Sequence, residues 1–504
     1  MYPGRMLSRL SLPLAAIACI AACSPASSPP EAPAARKNVL FVLIDTLRSD
    51  HLESYGYARE TSPFLTSLAD DGVLFEEMTA PCSWTKPSIA SLFTSLYPSQ
   101  HGVRKGNARD TADNFVSDVL PTNLTTLAEL YSAAGYRTFG AVRNSHLKGF
   151  MGFGRGFDVY REVLGKADAV VRPFESWLDE REGDDAPWFA YLHFLDVHAY
   201  TPPPEYRDLF GTPELEYFLP GSPEKFSQLR DDVKAGRMAC PPKEQEGLRL
   251  LYDATIRHLD DVLKQVAAQL IERGEWEETL VVVTSDHGEE FFEHGEFAHG
   301  HSMADNLLRV PWIVRFPGRE YAGTRVDAPA TLVDVLPTLA EACGLPHRPE
   351  EFVGTSMMSA IESADEPSPD RYRYGELYKE EVPNETYFLV QSLRGRDHHF
   401  LRTWRPAPGA QSKLRSARHR SSFEPALRKD HPEWFEVEDV LYDLENDPDE
   451  LEDAADRLPD VTERCRDILS RIDEMLYRQK PVEGGEVELD PETIQDLREN
   501  GYIR

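Results

Sequence analysis

The sequence predicts an α/β fold: a large mixed, mostly parallel sheet flanked by helices, with a smaller α+β subdomain at the C-terminal end. Asn38 to Ile44 (NVLFVLI), Trp188 to Leu195 (WFAYLHFL) and Thr279 to Ser285 (TLVVVTS) are unbroken apolar runs, which suit strands covered on both faces. Each run leads into an acid, Asp45, Asp196 or Asp286, and the last is followed by His287. Ligands of open α/β sheets bind outside the carboxyl ends of the strands, so these acids point to one shared site.

The other elements follow in chain order. Ser62-Pro63 opens a helix that Gly72 closes, and Thr125 to Ala134 forms another, closed by Gly135. Glu205 to Lys243 reads as an irregular insertion, either a lid over the site or a solvated excursion. Leu248, Leu251, Leu259, Val262, Val266 and Leu270 recur at helical spacing and mark Leu248 to Arg273 as an amphipathic helix. Thr331 to Ala342 is a further packing helix, stopped by Gly344. Beyond Ser363 come two strand-like pieces, Tyr387 to Leu393 and His399 to Trp404, a polar loop from Arg405 to Lys429, and a final helix from Val461 to Leu476. The expected boundaries are a signal peptide over 1–22, a linker over 23–36, the main domain over 37–362, the α+β subdomain over 363–480 and a tail over 481–504.

Charge narrows the function. Against 54 Lys+Arg stand 86 Asp+Glu, a formal net charge of −32, which opposes binding to nucleic acid. An anionic substrate would need metal ions, basic side chains or helix N-termini to overcome that field. At the N-terminus, Arg5 and Arg9 precede an apolar run from Leu10 to Ala22, too short for a comfortable membrane span and placed like a secretory signal. Its end, Ile20-Ala21-Ala22-Cys23, resembles a bacterial lipobox, in which Cys23 becomes a lipidated N-terminus. An ordinary signal peptide is the alternative. Ser24 to Arg36 (SPASSPPEAPAAR) then reads as a tether, and the expected setting is the bacterial cell envelope, with the protein lipid-anchored to a membrane and periplasmic or surface-facing. Cys82, Cys240, Cys343 and Cys465 form no C-x-x-C pair, which argues against a zinc ribbon or a dense disulfide framework. One or two disulfides remain open.

Seven stretches in order carry a family resemblance: FVLIDTLRSDHLESYGY (Phe41 to Tyr57), PSIASLFTSLYPSQHGV (Pro87 to Val103), GYRT (Gly135 to Thr138), LDVHAYTPP (Leu195 to Pro203), VVTSDHGEEFFEHG (Val282 to Gly295), RVPWIVRFPG (Arg309 to Gly318) and LYDLENDPDEL (Leu441 to Leu451). Together they resemble the sulfatase family of the alkaline-phosphatase superfamily. The resemblance implies an alkaline-phosphatase-like fold and hydrolysis of sulfate or phosphate esters, and fold alone does not choose between them.

In that family a cysteine two residues before a Pro-Ser pair is oxidised to formylglycine, with an arginine after the Ser. Here Pro87-Ser88 sets the register, so the nucleophile position is Thr85, the arginine position is Ile89, and Cys82 lies three residues too early. No formylglycine is expected, since oxidising the secondary alcohol of threonine gives a ketone rather than an aldehyde. Threonine is the nucleophile in several phosphate-processing branches of the superfamily, and a helix starting here would offer free N–H groups to a developing anion. A simple helix cap in an inactive relative is the bland alternative for Thr85.

The resemblance also implies one divalent metal ion, held by Asp45, Asp286, His287 and Thr85. Calcium is the family expectation; the histidine, and Thr46 where relatives often carry a second acid, leave manganese, zinc or magnesium open. His198 matches a histidine placed against the leaving oxygen and is the expected proton donor. Lys86, Arg143, His299 and His301 are the candidate substrate contacts. The reading is therefore a metal-dependent hydrolase of an anionic small-molecule or glycan ester with a Thr85 nucleophile. The alternatives are a phosphotransferase or phosphodiesterase, or a degenerate lipoprotein that binds an anion without turnover.

Overall fold

Strand Asn38–Ile44 alternates its side chains between two separate cores: Val39, Phe41 and Leu43 enter one, Leu40, Val42 and Ile44 the other. Both faces are apolar because both are covered, as the unbroken run predicts. The computed structural model describes residues 37–104, 107–109, 115–216, 228, 232–233, 236–364, 371–381, 386–410, 425–478 and 485–499, so the leader, Cys23 and the linker lie outside the described residues. Lys37 to Arg504 forms one compact unit.

The eight-stranded main sheet runs in the order Thr324–Val326, Val73–Phe75, Trp312–Arg315, Thr279–Thr284, Asn38–Ile44, Trp188–Phe194, Arg137–Val142 and Val159–Glu162. All neighbours are parallel except Trp312–Arg315, which is antiparallel to both of its partners. The chain leaves Thr284 at the carboxyl edge, builds a loop there and re-enters from the same edge, so it must run backwards. One face carries the helices Thr85–Thr94, Leu127–Ala133 and Val335–Ala342; the other carries Pro63–Asp70, Ala167–Glu180 and Pro242–Glu272. The last of these starts six residues before Leu248, at a proline that needs no N–H partner, and Gly274 at φ 74° follows its end.

A second, four-stranded antiparallel sheet follows: Arg373–Glu381, Thr386–Arg394, His398–Pro406 and Phe435–Asp443. Helix Pro459–Arg478 packs Cys465, Leu469 and Leu476 against its Tyr374, Leu393, Phe400 and Leu441. The segment expected as a polar loop ends in helix Pro425–Asp430, whose buried Arg428 pairs with Asp473 at 2.8 Å and lies over the Trp404 ring. Within 481–504, expected as a tail, Gly485–Glu488 pairs with strand Phe115–Val119, and Leu489 and Leu497 join the main core. Residues 205–216 of the expected insertion turn without regular structure and are tied to the long helix, Tyr206 donating to Asp261 at 3.0 Å. The four described cysteines are free thiols.

Candidate active site

The acids lie where the strands end. Asp45 follows Ile44 and is fully buried, its N–H donating to Phe194 O at 2.9 Å. The next residue, Thr46, sits at φ 63°, a left-handed conformation that costs a non-glycine residue about 1 kcal/mol or more. That turn aims Thr46 N–H at Asp286 Oδ1 (3.2 Å), while the Thr46 hydroxyl returns to its neighbour's carbonyl, Asp45 O (2.6 Å). Left-handed Tyr200 and Ala298 likewise flank the segments that present His198 and His299.

Thr85 begins the buried helix Thr85–Thr94, whose N-cap is Trp84 with no side-chain cap. The Thr85 hydroxyl does not cap its helix; Oγ1 lies 3.4 Å from Asp45 Oδ2 and 3.3 Å from His287 Nε2. Ser88 Oγ donates to Asp286 O at 2.6 Å, which fastens this helix to the strand that carries Asp286 and His287. His287 Nδ1 faces Gly288 O at 2.8 Å, a bond that makes Nδ1 the donor and leaves the Nε2 lone pair facing Thr85, Asp286 Oδ2 (3.4 Å) and Asp45 Oδ1 (3.8 Å).

These donors fit a divalent cation. Asp45 Oδ1 and Asp286 Oδ2 are buried without a hydrogen-bond partner, and unpaired buried carboxylate oxygens are costly unless a cation meets them. Burial, reinforced by the charge of Asp45, pushes the Asp286 carboxyl up to about 6. Burial also opposes ionisation of Asp45, but the bond to His193 and the charges of His198, His193 and His287 hold it below the usual range.

Several contributors were not read from the sequence. His193 Nε2 lies 3.4 Å from Asp45 Oδ2, and Asp45, His193 and Asp286 bring their ligand atoms within 4.8 Å of one another. The signal was an ionisable side chain inside a wholly buried strand. Asp196, expected at the shared site, instead accepts from Ala167 N (3.0 Å) at the start of a helix. Asn144, just past the strand Arg137–Val142, donates to Asp45 Oδ2 at 2.8 Å. Nearby His146 packs edge-on to Trp84, and burial pushes it down to about 3.

The remaining candidates divide. His198, His299 and His287 form a row, with ring centroids 4.9 and 4.4 Å apart, and Glu289 Oε2 meets His299 Nδ1 at 3.0 Å. His301 Nε2 goes instead to Glu290 Oε2 at 2.7 Å. Lys86 is wholly buried, its ammonium against Ser117 Oγ and Met151 Sδ, and burial lowers it to about 8. Arg143 lines a pocket with Asn144 and Lys148, its Nε buried without a hydrogen-bond partner.

A family model described as sulfatase matches residues 37–345 of the 504. An ulvan-active sulfatase of Formosa agariphila is 25% identical over 371 residues, 67% of each chain. A Δ4,5-hexuronate-2-O-sulfatase of Bacteroides thetaiotaomicron is 25% identical over 427 residues, covering 76% of this chain and 83% of that one. Among solved structures, the phosphonate monoester hydrolase of Agrobacterium radiobacter superposes with a TM-score of 0.62 at 20% identity, over 90% of this chain and all of that one, a likeness of fold. The chain belongs to the sulfatase family of the alkaline-phosphatase superfamily and is a hydrolase of ester bonds.

Proposed function

We propose that the protein hydrolyses an anionic ester through the hydroxyl of Thr85, with a divalent ion held by Asp45, Asp286 and His287. The observation that carries this reading is the place of Thr85 Oγ1, turned from its own helix toward Asp45 and His287 at 3.4 and 3.3 Å. When bound, the ion supplies charge to stabilise the anionic substrate and to acidify the hydroxyl. The imidazole in the donor set favours manganese or zinc over calcium.

Thr85 Oγ, its hydroxyl proton passed to solvent water, attacks the central sulfur or phosphorus, forming one bond as the bond to the leaving oxygen breaks. His198 gives that oxygen its proton, so the leaving group departs as an alcohol. The free N–H groups at the start of helix Thr85–Thr94 face the anion, and His299, oriented by Glu289, contacts the group in transfer. Water then attacks the central atom, giving a proton to the His198 that the first step left neutral, and the bond to Thr85 Oγ breaks.

Threonine also bears on the substrate. Formylglycine releases sulfate when its hydrate collapses, a route closed to a threonine ester, which must be attacked directly at the central atom. Phosphate esters suit that second step better than sulfate esters. The two relatives are named for ulvan and for a Δ4,5-hexuronate, which supports a glycan as the alcohol portion. Lipidation at Cys23 in the cell envelope completes the proposal, and mass spectrometry of the N-terminal peptide checks it.

Thr85→Ala should abolish turnover of aryl phosphate and aryl sulfate esters while leaving the fold and the bound ion in place, and Thr85→Ser should keep part of the rate. His198→Ala should slow esters of poor leaving groups by about a hundredfold and activated esters little, since a good leaving group needs no acid. Steady-state rates on matched esters, with metal content by elemental analysis, decide. Full activity in Thr85→Ala with metal bound would place the nucleophile elsewhere.

A further inference from the structure

The antiparallel sheet reaches the active-site segments from outside the main sheet. Strand Arg373–Glu381 hydrogen-bonds to the backbone ahead of the nucleophile helix, Glu376 N–H donating to Pro81 O at 2.8 Å. Its Gly375 lies so close that a Cβ there would stand 3.1 Å from Pro81 O and 2.8 Å from Met303 Cε. Leu377 of this strand and Val390 of the next join Cys82, Met303 and Leu308 in one buried cluster, with Trp84 packed against it. Finally, Lys379 Nζ donates at 2.8 Å to the carbonyl of Gly300, the residue that follows His299. Gly300, at φ 71°, lies beside Trp84, where a Cβ would stand 3.4 Å from Trp84 Cβ.

One strand thus touches the turn before Thr85 and the loop that bears His299, which are far apart in sequence and share no secondary structure. We propose that strand Arg373–Glu381 holds these two segments in register, with Lys379 as the positioning residue that fixes the His299 loop. The inference rests on the reading of Thr85 and His299 given above. Its physical content is that a reacting geometry tolerates little displacement, so a loop held at its carbonyl by an ammonium loses rate when that bond is removed. The loop has other supports, His294 Nε2 to Asp449 O at 3.0 Å and Asp305 N to Glu450 Oε2 at 2.8 Å, so it should loosen rather than unfold.

The test compares the full-chain enzyme with Lys379→Met, Lys379→Arg, His299→Ala and, as a control on the same sheet, Arg405→Ala, whose ion pair with Glu438 is exposed. For each, kcat and KM are measured on an activated and an unactivated aryl ester, with metal content and thermal melting. Lys379→Met should lower kcat about tenfold with KM little changed, melting and metal as in the wild type, and Lys379→Arg should recover most of the rate. Wild-type kcat in Lys379→Met while His299→Ala is impaired would overturn the inference and leave the functional reading standing. Wild-type rates in both would remove His299 from the site and the inference with it. Lower melting in Lys379→Met, with no rescue by arginine, would show a merely structural contact and also overturn it.

Discussion

At the carboxyl edge of the main sheet, Asp45, His193 and Asp286 bring their ligand atoms together, and two of the carboxylate oxygens have no hydrogen-bond partner. At the antiparallel sheet, Asp305, His399 and Glu450 form a second buried cluster, again two carboxylates and a histidine, in which every carboxylate oxygen is bonded. Arg394 meets both oxygens of Asp305 at 2.8 and 3.2 Å. Glu450 accepts from Asp305 N at 2.8 Å and pairs with His399 Nδ1 at 2.5 Å, while Ser392 Oγ meets His399 Nε2 at 2.7 Å. Residue type does not separate the two clusters; leftover bonding capacity does. The first keeps the free oxygens that the proposed cation would take, whereas the second is a lock between the sheet and the loop entering Asp305. The Ser392–His399–Glu450 chain resembles a nucleophilic relay only on paper, because Ser392 and His399 are buried with their bonds closed.

Asp286→Ala carries the largest expected effect. It should strip the divalent ion and lower turnover about a thousandfold or more, and chelation should lower the melting temperature of the wild type but not of this variant. A variant that retains the ion would move the metal centre off Asp286. Glu450→Ala should leave metal content untouched yet cost about 1–3 kcal/mol in urea unfolding for each buried polar partner it leaves unpaired, His399 Nδ1 and Asp305 N–H. Loss of the ion in Glu450→Ala would erase the distinction between the clusters.

The smallest effect comes from a third buried acid that lies between these extremes. Asp260 accepts Phe64 N and Leu65 N at 2.8 Å each, and burial outweighs those bonds and the charge of Arg257, pushing it up to about 7. An acid whose pKa rises on folding binds its proton more readily in the folded state, so ionisation works against the fold. Its cost is absent below the unfolded value near 4, grows from there to about pH 7 and is constant above. Asp260→Asn should therefore gain on the wild type by about 1–2 kcal/mol across that window, whatever constant offset the altered cap adds. A stability difference that stays flat between pH 4 and 8 would show that its two N–H donors already satisfy the ionised form.

The sequence by itself determined the strands and helices whose apolar period is local, and the positions of Asp45, Thr85, Asp286 and His287, because each sits in a short motif at the end of an element. Burial on both faces of Asn38–Ile44 writes an unbroken apolar run into the six residues Val39 to Ile44, so that strand is legible without its neighbours. The tertiary structure decided what depends on partners distant in the chain. His193 stands level with Leu43 and Val142 in the sheet register, which brings it to Asp45, while Asp196, three residues on, is carried past the edge to the start of a helix. His299 and His301 are equivalent in sequence, yet the turn at Gly300 sends one to His287 and the other to Glu290. The bond from Lys379 to Gly300 spans 79 residues and leaves no local pattern, since a lysine that meets a carbonyl and one that meets water have the same neighbours in the chain.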